Sequence, residues 1–392
     1  MYLCTMEVMF FSCIPFFVCL FWCMMLAFDV KFLGCSRQRL HLLAFMFVAS
    51  MLYFGHLSFF NHLSGVLPLS DTLYVGANLS VYPLYLFFVR SLTQRRSEMH
   101  RRWNLLFVPA LLAMVGVGVI YWLMSPGDER RFFDIYFYGR SHVGLRSLCL
   151  AQAVLHDVCK AVFGLMLIPI GVMGWRLFAQ YEQTLQNVYA DVEGKSLGLL
   201  RQMVFFFFAT SVVSFLANVV GRQAFTASPH LLAVPSVVFS LLLFMVGYVS
   251  RRQRFTIDDI SPDEVPATET VSDPSQVSQL TARIANVMKV EQLYRKPDLH
   301  MSDLVQRLGS NRNYVYQAIK SGMNMSFNEY VNRLRVEYAM HVLVHNPDCL
   351  LLEVGERAGF ASTTSFYRNF KLYSGMTPKE YQQQLHAEKT DD

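Results

Sequence analysis

Residues 359–378 read GFASTTSFYRNFKLYSGMTP, and the rest of the chain takes its meaning from them. Gly359 ends a short helical pattern of Leu351, Val354 and Ala358, and a new helix is predicted to start within three residues. In it Phe366, Phe370 and Tyr373 recur at spacings of four and seven, which is one buried helical face. Thr364, Tyr367, Arg368 and Lys371 fall opposite, with no carboxylate among them. Two helices joined by a glycine turn, the second carrying outward hydrogen-bond donors, match the way a reading helix enters the DNA major groove. An ordinary amphipathic helix with a solvated face has the same periodicity, so the upstream sequence decides.

The arrangement recurs about fifty residues earlier. Leu304, Val305 and Leu308 form one helical face, Gly309 makes the turn, and Asn311 suits an N-cap. Val315 and Ile319 give an i, i+4 core pair, leaving Arg312, Asn313, Tyr316, Gln317 and Lys320 outside. Between the two units runs SFNEYVNRLRVEYAMHVLVHN, residues 326–346, with Phe327, Tyr330, Val331, Leu334, Tyr338, Val342 and Leu343 at helical spacing. As a helix it spans roughly 30 Å. Major-groove faces on one side of B-DNA are about 34 Å apart. A rigid rod of that length can hold two reading helices in adjacent grooves.

At this point the residues carry a family resemblance. Met301–Leu385 resembles the DNA-binding domain of AraC/XylS-type transcription regulators. The matching features are Asp303–Gly309 (DLVQRLG), Arg333–Ala339 (RLRVEYA) and the AGF…SF…NFK..SGMTP..Y pattern at Ala358–Tyr381. The resemblance implies an all-α domain of two helix-turn-helix units joined by a long helix. Its partners would be specific double-stranded DNA and RNA polymerase. Resemblance and outward geometry together pick Arg312, Asn313, Tyr316, Gln317 and Lys320 in the first reading helix. In the second they pick Ser362, Thr363, Tyr367, Arg368 and Lys371. Arg suits guanine O6/N7 and Gln suits adenine N6/N7, whereas Tyr and Lys also serve as phosphate contacts. The chain departs from the family pattern at Val305 and Gly355, where Ala is usual. It departs again at Asn369, where an apolar residue is usual, and at Gln382, where Arg is common.

Ahead of this domain the composition is of another kind. The chain is 53% hydrophobic and only 16% charged, and nearly all of the apolar excess lies before residue 250. Seven membrane spans are expected, at about 8–28, 40–60, 72–89, 103–124, 161–178, 203–220 and 231–250. The start, MYLCTMEVMFF, has no basic n-region or small-residue cleavage site and is read as a retained span. Lys and Arg gather in alternate loops: Lys31, Arg37 and Arg39; Arg90, Arg95, Arg96, Arg101 and Arg102; Arg176, Lys195 and Arg201; Arg251, Arg252 and Arg254. That bias puts the N-terminus outside and the C-terminus in the cytoplasm of a bacterial inner membrane, on the side where DNA is.

The span cores hold almost no charge, which argues against an ion path. The last span has no Lys, so a retinal Schiff base is excluded. Asn78 and Asn218 are the most polar groups at depth, and interhelical hydrogen bonding is the expected role of each. Pro15, Pro83, Pro109, Pro169 and Pro235 place a proline in five spans and permit bends. Residues 256–276, TIDDISPDEVPATETVSDPSQ, hold six acids and three prolines with no base, an extended acidic linker. A helix is predicted over about Val277–Leu293. Eight scattered cysteines give neither a C-x-x-C pair nor a Cys/His cluster, so no metal site is expected. No catalytic motif appears, and neither an enzyme activity nor a cofactor is expected.

The fold class is therefore all-α: a seven-helix transmembrane bundle over 1–253, an acidic linker over 254–276, and a reading domain over 277–392. The function expected is that of a membrane-integral transcription regulator, with the lipid bilayer, DNA and an unknown small-molecule or membrane signal as partners. A homodimer would strengthen its hold on DNA. The alternative left open is a membrane receptor or transporter whose C-terminal helical domain is a protein-interaction module.

Overall fold

The computed structural model describes residues 2–95, 97, 101–139, 141–220, 229–253, 255–260 and 274–391, and among these it is helical with no strand. The chain packs as two compact units. One comprises Met1–Ala179 and Leu197–Ile257; the other comprises Gln180–Ser196 and Asp258–Asp392.

The first unit is built from α1 (Tyr2–Phe32), α2 (Arg37–Phe60), α3 (Leu67–Thr93), α4 (Val108–Leu123), the short α5 (Pro126–Phe132), most of α6 (Ser147–Val188), α7 (Gly198–Val220) and α8 (Pro229–Arg252). Helix α2 packs between α1 and α3, α1 also packs on α8, α3 on α4, and α7 on α8. Six of these helices are long and apolar enough to cross a membrane. The expected span at 203–220 coincides with α7, whose apolar part over the described residues, Gly198–Val212, is shorter than the other six. Outward-facing side chains such as Leu111, Trp122 and Leu165 stay largely exposed, a surface that suits a hydrocarbon surround far better than water.

The helices run beyond the expected spans and take in charged residues at the span edges. Helix α3 takes in Asp71 and Arg90, and α6 takes in His156, Asp157 and Lys160. Hydropathy stops at a charged residue, but a helix does not when that residue finds a partner inside. Buried Asp71 accepts from Tyr121 Oη at 2.8 Å and lies 2.7 Å from His156 Nε2. Buried Asp29 pairs with Arg251 at 2.6 Å. Pro15, Pro83, Pro169 and Pro235 are helix-internal as expected, whereas Pro109 sits in the first turn of α4, where its missing N–H costs nothing. The side chain of Asn218, with Arg96, Arg140, Arg222 and Arg254, lies outside the described residues.

The second unit contains α9 (Pro274–Glu291), α10 (Met301–Leu308), α11 (Arg312–Gln317, continued by a wider turn to Gly322), α12 (Phe327–His345), α13 (Leu351–Arg357), α14 (Thr363–Ser374) and α15 (Pro378–Asp391). Two cores sit at either end of α12. Ile284, Met288, Leu304, Val315, Ile319 and Val331 fill one; Ala339, Leu343, Val354, Phe366 and Phe370 fill the other. The stripe that α12 buries differs from the expected one. Asn332, Arg335, Val336 and Ala339 are inside, while Tyr330, Leu334, Tyr338 and Val342 are only partly covered. Arg335 is the largest fully buried side chain among the described residues. Its guanidinium donates to the carbonyls of Tyr294 and Lys296, both at 2.7 Å, and to Pro297 at 3.2 Å. Burial lowers its pKa to about 10, so it remains charged at neutral pH and clamps the 293–297 turn onto α12.

The departures from the family pattern have packing reasons. A Cβ on Gly355 would stand 3.0 Å from the Phe366 ring, so the glycine lets α14 lie close on α13. Gly359 has φ +92°, and a Cβ there would meet Arg295 O at 2.5 Å, which leaves glycine as the only fit. Buried Asn369 satisfies its amide on Ser365 O at 2.9 Å. Gln382 donates to the carbonyls of Pro347 and Cys349, at 2.6 and 2.9 Å, and holds α15 against the turn before α13. At the other end of the domain, Ile257 and Ile260 are buried around a short turn at Ile257–Asp259, where an extended linker was expected. Two isoleucines three residues apart supply an apolar edge that the acids conceal in a composition count. The linker residues 261–273 lie outside the described residues.

Candidate nucleic-acid interface

Each reading helix is started by a side-chain cap and oriented by an apolar pair. In the first unit Asn311 Oδ1 accepts from Asn313 N at 2.9 Å, capping α11, while Val315 and Ile319 are buried beneath it. In the second, Ser362 Oγ accepts from Ser365 N at 3.1 Å, capping α14, and Phe366 and Phe370 anchor the helix. The preceding helices end as expected at Gly309 (φ +55°) and Gly359, both left-handed.

On α11, Lys320 is exposed and donates to Tyr316 Oη at 2.8 Å, its ammonium also resting over the Tyr316 ring. The pair forms one cationic, aromatic contact. Asn313 and Gln317 are half-buried, and Arg312 folds back so that its Nε is buried with no hydrogen-bond partner among the described residues. On α14, Thr363, Arg368 and Lys371 are exposed, and Tyr367 is half-buried against the Phe366 ring. Of the ten residues, Lys320, Thr363, Arg368 and Lys371 are exposed and the other six are half-buried on or beside the two capped helices. Helix α12 joins them over about 28 Å at 1.5 Å per residue.

One residue has a partner that the sequence does not announce. Ser362 Oγ donates to Glu193 Oε2, from the segment between α6 and α7. That segment is built into the reading domain. The Ala190 N–H donates to Leu299 O at 3.0 Å, and the Ala190 carbonyl accepts from Asn328 Nδ2 at 2.6 Å and Asn332 Nδ2 at 3.0 Å. Tyr189 pairs with His300 across an antiparallel bridge, their rings 4.6 Å apart. Ala190 is fully buried within the same core as Leu304 and Val331. Only the i, i+4 pair Asn328 and Asn332, on a helix whose neighbours are apolar, hinted in sequence at a buried backbone needing donors.

Comparison with known proteins agrees with this geometry. A family described as a helix-turn-helix domain matches residues 304–384, and the C-terminal segment is an AraC-type helix-turn-helix domain. The chain is 25% identical over 108 residues to the Msm operon regulatory protein of Streptococcus mutans, covering 28% of this chain and 38% of that protein. It is 24% identical over 170 residues to an uncharacterized HTH-type transcriptional regulator of Staphylococcus aureus (strain COL), covering 42% of this chain and 20% of that protein. The chain thus spans well under half the length of these relatives. No solved structure matches it.

Proposed function

We propose that this chain is a membrane-integral transcription regulator of a bacterial inner membrane, a binding protein and not an enzyme. It reads specific double-stranded DNA through Arg312, Asn313, Tyr316, Gln317 and Lys320 on α11 and Ser362, Thr363, Tyr367, Arg368 and Lys371 on α14. It answers a signal received in or at the bilayer. The observation that carries the reading is the seating of Val188–Glu193 on the reading domain. Helix α6, about 63 Å long by its 42 residues, is twice the hydrocarbon thickness of a bilayer. Its end and the following loop contribute backbone to the reading domain's core, so loop and domain share one side of the membrane. Arg176, Lys195 and Arg201 near that loop favour the cytoplasmic side.

Helix α6 begins in the first unit and ends in the second, ahead of Glu193, which gives the membrane unit a means of acting on DNA. Glu193 puts a carboxylate on Ser362, at a helix N-terminus where a DNA phosphate would otherwise be received. Movement of α6 would shift that carboxylate and change the access of α14 to DNA. Residues 277–392 carry fourteen Lys and Arg against twelve Asp and Glu, a weak electrostatic pull for a DNA binder. Pairing of two copies in the membrane would compensate by raising effective concentration.

Reporter fusions test the topology. Those at the N-terminus and near Gly65 and Gly127 should report outside, and those near Gly194 and Asp263 cytoplasmic. Gly194 and Asp263 on opposite faces would end the reading. Separately, the full chain in lipid nanodiscs should enrich a defined sequence from a random duplex library. Failure to enrich any sequence would instead favour the receptor or transporter whose helical domain binds protein.

A further inference from the structure

The first unit encloses a cavity of about 540 Å³ between α1, α2, α3, α6, α7 and α8, within the size range of small-molecule sites. Its walls are mainly aromatic and aliphatic, with a few polar groups among them. Two of these, the Tyr53 hydroxyl on α2 and the Asn78 amide on α3, make no hydrogen bond among the described residues, although both line the cavity. The interhelical hydrogen bond expected of Asn78 is therefore absent among them. Polar groups at membrane depth ordinarily find partners, so a donor hydroxyl and an amide left facing one space are provision for something that enters it.

Charge narrows what that is. The cation at the cavity, Lys160, already donates to Asp157 at 3.0 Å and to Tyr136 Oη at 2.9 Å. Asp157 in turn accepts from Tyr136 at 2.6 Å and lies 2.9 Å from His142 Nε2. With its ammonium answered, Lys160 offers little to an anion, and among the described residues no carboxylate lines the space to receive a cation.

We infer that this cavity binds an uncharged amphiphile: a hydrocarbon or aromatic body with one carbonyl, amide or hydroxyl head, the head meeting Tyr53 and Asn78. Such a molecule partitions into the bilayer and reaches the site between helices. The inference rests on the reading of this unit as membrane-spanning, and makes the cavity the place where the signal is received. Pro15 and Pro235, in α1 and α8, line it too, so two wall helices have freed carbonyls and can bend around an occupant.

The full chain in phosphatidylcholine nanodiscs is the test object, and the probe is a diazirine-bearing decanol. Labelling should saturate and map to peptides of α2 and α3. Unlabelled decan-1-ol should compete about tenfold better than decanoate or decyltrimethylammonium at matched membrane concentration, since the two hydrogen bonds favour a neutral head. The Tyr53→Phe/Asn78→Leu double variant should lose most of the saturable labelling. Labelling that never saturates and spreads over lipid-facing residues such as Leu111 and Leu165 would mean ordinary lipid fills the space. Equal competition by the ions on the unaltered chain would overturn the neutral-head assignment even if the double variant failed to fold. DNA binding by the same samples is read in parallel. Its loss with labelling intact counts against the regulator reading and not against the site.

Discussion

Replacing Glu193 with Ala removes the carboxylate that meets Ser362 Oγ and leaves the loop's main seat, at Ala190, untouched. Glu193 is exposed, and its backbone is held separately by Asp191 Oδ1 at 3.0 Å, so the turn should survive. The lost hydrogen bond is worth about 0.5–1.5 kcal/mol net in water-accessible surroundings. For DNA to take the N-terminus of α14 it must first displace that bond and approach a like charge. Full-length Glu193→Ala protein in nanodiscs should therefore bind its selected duplex about two- to tenfold more tightly. Fluorescence anisotropy across a salt series is the assay. Glu193→Gln keeps an acceptor and loses the charge, so its gain should be smaller. Ser362→Ala is the counter-test, because it also removes the cap on Ser365 N and should cost the helix start about 1 kcal/mol. Unchanged or weaker binding by Glu193→Ala, with the fold intact, would refute the reasoning: the carboxylate would then be positioning Ser362 and not guarding it.

Three further outcomes follow from the reading domain. Arg368→Ala, at an exposed position on α14, should cost about 1–3 kcal/mol of specific binding and relax preference at one base pair; a uniform loss on all sequences with a salt slope lower by about one unit would make it a phosphate contact. Phe370→Ala empties the centre of the C-terminal core, where Phe370 is fully buried, and should lower stability in urea melts by about 3–5 kcal/mol. Asn332→Leu removes one of the two side-chain donors to the Ala190 carbonyl and the acceptor of an Arg335 contact, so it should destabilise the domain by about 1–3 kcal/mol. Protease nicking at the 189–196 segment should then appear before global unfolding, and nicking no faster than in the parent chain would mean the loop is held elsewhere.

What the sequence made legible is local. Phe366 and Phe370 at i, i+4 with Gly359 before them are one short stretch, and periodicity resolves such a stretch because each residue's burial follows from its neighbours on the same helix. The ten residues expected to meet DNA came from the same logic; nine lie on α11, its continuation to Gly322 or α14, and Ser362 caps α14. What stayed hidden depends on distant partners. Arg335 reads as a solvated charge on α12 until the carbonyls of 294–297 close around it. Asp71 reads as a span boundary until Tyr121 and His156 arrive from fifty and eighty-five residues away. Tyr189 and Ala190 read as a connecting loop between two apolar helices, because nothing in a loop's own composition records that its backbone completes a core built mostly from residues about a hundred positions later. In each case a polar group is satisfied by a segment that the local pattern could not pair with it. Such distant pairings escape any local pattern: the helix-turn-helix stretch is legible in twenty residues, whereas the seat of the Ala190 carbonyl depends on Asn328 and Asn332, 138 and 142 residues further along the chain.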